Sequence, residues 1–183
     1  MSRAPDLIEP VVGFRDWRVE DGKLASRHLP MLWTDRTMHA ECFPIGGYAF
    51  ASELDRDPHE APGVSCSCGI YAWHHPQGEF SVVDVRGVTG IVTLWGTLQA
   101  YAEGMRVEYA RVEALAVYNR WTAAKKSVVG GIASALGADL VELERLAEAS
   151  RHYGQPIPDE MLPQEASAPR RRLRLRVPRG VGV

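Results

Sequence analysis

Apolar and polar positions change rhythm along the chain. Phe14 to Ser26 alternates on either side of Glu20-Asp21-Gly22, and an Asp-Gly pair between two such runs predicts a β-hairpin with a tight turn. Met31-Leu32-Trp33 and Thr37 to Phe43 read as further short strands, while Phe50 to Leu54 allows a short helix. Val88, Val92, Leu94 and Leu98 alternate with Ile91 and Trp95, so both faces of this segment are apolar and a central strand is expected. Ala102-Glu103-Gly104 turns that strand back through Met105 to Val117, and Gly90 and Gly96 point to strong bending, as in a small barrel or rolled sheet.

From Asn119 the pattern becomes helical. Trp121 to Leu136 predicts one helix ended by Gly137, and Asp139 with Glu142 resembles a capping box opening a second. Leu140, Leu143, Leu146 and Ala147 form the apolar stripe of that second helix, which Gly154 and Pro156 end. Pro156 to Pro169 reads as a Pro-rich linker, and Arg170 to Arg179 as a mobile basic tail. The predicted fold is α+β: a small, bent antiparallel sheet with a Cys/His metal knuckle (residues 1–118), a helical hairpin (119–156), then the linker and Arg-rich tail (157–183).

Composition narrows the classes. The chain has 183 residues, 45% of them hydrophobic and 24% charged, within the globular range. Net charge is −2, which does not mark the whole chain as a nucleic-acid binder. The charge is uneven: residues 1–118 carry ten basic and sixteen acidic side chains, the remainder eleven and seven. Gly90 to Ala102 is the longest apolar stretch, too short and too polar for a bilayer. No apolar run follows Met1 to Asp6, which predicts no secretory signal and a cytoplasmic protein.

The candidate chemistry lies in the cysteines. Cys42, Cys66 and Cys68 are an odd set, and a disulfide across the single residue between Cys66 and Cys68 is badly strained. With His59 they make C-x16-H-x6-C-x-C, four ligands of the kind a tetrahedral zinc site uses. Pro58, Pro62 and Gly63 stiffen the loop of His59, and Gly69 permits a left-handed turn that lets both thiolates face one point. Cys42 also suits a plain core position, since Met38, Ala40 and Cys42 share a strand face. His74 and His75 are alternatives for the fourth ligand; His39 alternates out of phase with Cys42. Zinc is the first reading, and a [2Fe–2S] centre on the same ligands is the alternative.

Other functions find less support. Walker, G-x-S-x-G, H-E-x-x-H and deaminase patterns are all missing, so the chain reads as a module that binds a macromolecular partner without catalysis. Ala133, Gly137 and Leu143 have helix-turn-helix spacing, but Asp139, Glu142, Glu144 and Glu148 give that helix a charge that DNA repels. Arg170, Arg171, Arg172, Arg174 and Arg176 offer nonspecific attraction to nucleic acid, or an alternating edge strand for a protein partner.

The strings His59-Glu60-Ala61-Pro62, Cys66 to Ala72 (C-S-C-G-I-Y-A), Val92 to Gly96 and Glu108-Tyr109-Ala110 give residues 12–118 a resemblance. The segment resembles a family of small uncharacterised proteins of actinobacteria and their phages. That resemblance implies that the Cys/His loop is one unit; it implies no activity.

Overall fold

The computed structural model describes residues 10–27, 31–42, 59–63, 66–77 and 84–163. Eight strands form one sheet: β1 (Val11–Glu20), β2 (Lys23–Ser26), β3 (Leu32–Trp33), β4 (Thr37–His39), β5 (Ile70–Trp73), β6 (Gly87–Ala100), β7 (Gly104–Val117) and β8 (Asp139–Glu142). The expected sheet-dominated α+β architecture is present. The Asp21-Gly22 turn joins β1 to β2 with φ of 48° and 72°, the paired positive angles a type I′ hairpin requires. β6 and β7 are the long central hairpin that the doubly apolar pattern predicts.

The sheet rolls up. β1 pairs β6 along Val11 to Arg18, β6 pairs β7, β7 pairs β5, and β5 returns to β1 through Phe14↔Trp73. Those four strands therefore close a small barrel, with register shifts in β6 at Ile91/Val92 and Trp95/Leu98 that bend it. Side chains on the inner face, among them Trp17, Trp33, Val88, Val92, Leu94, Met105, Val107 and Leu115, form the main core. Val12, Phe14, Ile91, Ala114, Ala116 and Leu146 form a second cluster on the opposite face. β6 and β7 contribute to both clusters, so both faces of this hairpin carry apolar residues.

β7 organises the other strands around it. Its free edge takes β5 at Gly104 to Val107, β4 at Tyr109 to Arg111 and β8 at Ala114 to Val117. Helix α1 (Ala123–Leu136) is capped by the Thr122 hydroxyl, which accepts from the Lys125 amide, and ends at Gly137 with φ of 64°. Val129, Ile132 and Ala133 bury its inner face.

Two expectations are corrected. Asp139–Glu142 is a strand parallel to β7, so the sheet is mixed and the predicted second helix does not start there. The hydrogen-bonding edge of β7 captures Leu140 and Val141, overriding a weak helical preference. Asp139 accepts a hydrogen bond from the Tyr153 hydroxyl at 2.6 Å instead of capping a helix. Among the described residues beyond it, only Leu146–Ala149 is α-helical (α2), flanked by 3-10 turns at Leu143–Arg145 and Ser150–His152. With no continuous recognition helix, the helix-turn-helix reading is lost. Expectations for residues 50–54 and for Arg170, Arg171, Arg172, Arg174 and Arg176 lie outside the described residues.

Candidate metal centre

Cys42, His59, Cys66 and Cys68 come together. Each offers one ligand atom, and the four atoms lie within 4.8 Å of one another. Cys42 Sγ and Cys66 Sγ are 3.7 Å apart, and His59 Nε2 is 3.3 Å from Cys68 Sγ. Two sulfurs on one tetrahedral zinc with bonds of about 2.3 Å stand about 3.8 Å apart. The observed spacing matches that edge and is far too long for the S–S bond of about 2.05 Å in a disulfide. The set is close enough to hold a metal ion.

Three segments deliver these ligands. Cys42 follows β4, whose pairing with β7 is anchored where the Ala40 amide donates to the Glu108 carbonyl at 2.7 Å. Upstream, Arg36 donates from Nε to the Val112 carbonyl at 3.0 Å and from Nη2 to Glu113 at 2.9 Å. Glu113 is buried, and Arg111 (2.6 Å) and the Thr93 hydroxyl (2.5 Å) complete its partners. This network fixes the start of the run that ends in Cys42.

His59 sits on a loop pinned by buried Ala61 and by Gln99, whose Nε2 donates to the Pro62 carbonyl at 3.2 Å. Space at Gly63 is tight: a Cβ on it would lie 2.5 Å from the His59 ring and 3.2 Å from Cys66 Cβ. The Gly63 amide also donates to Cys68 Sγ at 3.1 Å, which ties that sulfur to the His59 loop. Gly69 has φ of 121°, the turn expected after the second cysteine, and leads directly into β5.

Arg106, in β7, holds the knuckle from behind. Its Nη1 donates to the carbonyls of Cys66 and Cys68, the latter at 3.1 Å, while Nη2 reaches Gln99 at 2.5 Å and Nε the Tyr101 hydroxyl at 2.8 Å. The guanidinium lies 5.9 Å from the Tyr71 ring centre and 5.4 Å from that of Tyr101. Neither Arg106 nor Gln99 is apparent as a site residue from motifs. The sequence shows only that Arg106 is one of four charged residues in β7, between Met105 and Val107.

Electrostatics favour a cation at the centre. Burial pushes the Cys42 thiol up to about 11, and the adjoining Cys66 and Cys68 add to the effect. A divalent ion bound there would reverse that preference by holding the Cys42 sulfur as a thiolate. Among the described residues, the alternative histidines do not join the cluster. His74 Nε2 is 2.8 Å from the Tyr101 carbonyl, His75 is outside the cluster, and His39 stacks on Tyr109 with Nε2 3.9 Å from Glu108.

Beside the knuckle, Tyr71, Trp73, Tyr101 and Arg106 line a cleft of about 590 Å³. No described helix is long and apolar enough to cross a membrane. Comparison with protein-family models, curated proteins and solved structures finds no match to the chain.

Proposed function

We propose that Cys42, His59, Cys66 and Cys68 hold a zinc ion whose role is structural, in a module that binds a macromolecular partner and does no catalysis. The observation that carries this reading is the mutual approach of all four ligand atoms to within 4.8 Å. A two-iron cluster divides its ligands between two metal ions, so ligands on opposite irons stand farther apart than ligands of a single ion. The compact set therefore favours one tetrahedral ion over [2Fe–2S]. Four protein ligands leave no open position for water or substrate, the arrangement of structural zinc.

The ion ties the run after β4, the His59 loop and the entry to β5 together. Two of the four ligands lie within the Cys66 to Ala72 string, which supports treating that string as one unit. The partner surface in this reading is the adjacent cleft, where Tyr71 and Tyr101 are half exposed at 51% and 43%. Tyrosines presenting an apolar ring and a polar tip are common at interfaces.

Thermal unfolding of the zinc-loaded chain before and after treatment with a strong chelator tests the structural role. Chelation is expected to lower Tm and zinc to restore it. An unchanged Tm contradicts the proposal.

A further inference from the structure

We propose that the thiol cluster is also a redox switch, in which a peroxide converts Cys42 and Cys66 to a disulfide and the metal is expelled. This rests on the metal-binding reading above. The two sulfurs stand 3.7 Å apart on segments 24 residues distant in sequence, so the contraction to a bond of about 2.05 Å is short and the chain between them imposes no tight ring. Both cysteines are partly exposed, within reach of a small oxidant.

Cys68 is tethered to the His59 loop. Its sulfur accepts from the Gly63 amide at 3.1 Å and lies 3.3 Å from His59 Nε2, contacts that hold it in place. A Cys66–Cys68 bond would close across a single residue and is strained. Cys42 also lies within 4.8 Å of Cys68, but the sulfurs of Cys42 and Cys66 stand at 3.7 Å with Cys68 tethered to Gly63, so Cys42 with Cys66 is the pair proposed to join.

The step balances with hydrogen peroxide as the oxidant. One thiolate of the pair attacks a peroxide oxygen, the O–O bond breaks, and a sulfenic acid forms as hydroxide leaves. The second thiolate attacks the sulfenic sulfur, the S–S bond forms and a second hydroxide departs. Two electrons pass from the sulfurs to the peroxide. Only His59 and Cys68 then remain as ligands, half the number a zinc site requires, and the ion leaves. A dithiol returns two electrons and restores the site.

The experiment treats the full-length, zinc-loaded protein with hydrogen peroxide. Released zinc is followed with a chromogenic chelator and cysteine pairing is mapped by mass spectrometry of proteolytic digests. The expected result is release of about one zinc per chain, a peptide cross-linked through Cys42 and Cys66, an alkylatable Cys68, and recovery of zinc binding after dithiothreitol. Retention of zinc, or its loss with sulfinic or sulfonic acids and no Cys42–Cys66 link, overturns the switch while leaving the metal reading intact. A chain that binds no metal before oxidation overturns both.

Discussion

Arg106 Nη1 donates to the Cys68 carbonyl at 3.1 Å and to the Cys66 carbonyl as well, so one residue of β7 fixes the backbone of both knuckle cysteines. The guanidinium suits this task because its planar fork presents several donors at fixed angles. Arg106→Met should lower zinc affinity by about 10- to 100-fold, the usual cost of losing a group that orients metal ligands. Arg106→Lys should rescue little, since a single ammonium cannot reproduce the fork. Chelator competition measures both, and an affinity equal to wild type in Arg106→Met shows that the carbonyl bonds do not position the thiolates.

Gly63 offers a sharper test of geometry, because substituting it removes no ligand. A Cβ at that position would sit 2.5 Å from the His59 ring, so Gly63→Ala must displace the imidazole. Weaker metal binding with the three cysteines still engaged is the expected outcome. Cobalt(II) spectra check it: loss of the nitrogen ligand changes the visible bands while thiolate charge-transfer absorption persists. Spectra and affinity identical to wild type would show that His59 is not held against the ion.

The Cys42 thiol, pushed up to about 11, gives the metal-free and loaded proteins opposite pH responses. In the unfolded chain the thiol ionises near its ordinary value of about 8.5. A raised value in the fold means that stability present below the ordinary value is lost as pH climbs from there through about 11. Metal-free protein should thus lose stability in alkali. Zinc-loaded protein holds thiolates instead, should release protons on taking up the ion, and should lose it on acidification. Denaturant midpoints across pH 7–12, with and without zinc, check the crossing; parallel curves contradict it.

Glu113 is a structural counterpart outside the ligand set. Its carboxylate is buried and meets Arg36, Arg111 and Thr93, and Arg36 precedes the strand that leads to Cys42. Both arginines are well exposed, 38% and 48%, so solvent screens much of the ionic attraction. Glu113→Gln keeps the shape and weakens the charge-assisted bonds, with an expected loss of about 1–3 kcal/mol. Calorimetry should show Tm falling by roughly 2–4 °C for each kcal/mol in a chain this long, with smaller effects on zinc affinity than Arg106→Met produces.

The legible parts of this molecule are those governed by local chemistry. The Asp21-Gly22 turn, the β6–β7 hairpin and the Gly137 helix end each arise from residues adjacent in the chain. The Cys66–Cys68 spacing with Gly69 pointed to a shared ligand, and Cys42 and His59 do lie beside it. β8 was not legible, because Leu140 and Val141 fit a helical stripe as well as a strand and the edge of β7 decides between them. Arg106 escaped for a similar reason: its role depends on Tyr71 of β5 lying opposite it, a pairing between strands more than thirty residues apart.

The most direct test of the account is the metal content of freshly purified protein, measured together with its visible absorption spectrum. About one zinc per chain, with no visible band, is the predicted result. Iron in the sample with thiolate-to-iron bands contradicts the single-ion reading. A protein free of metal that cannot be loaded contradicts the account altogether.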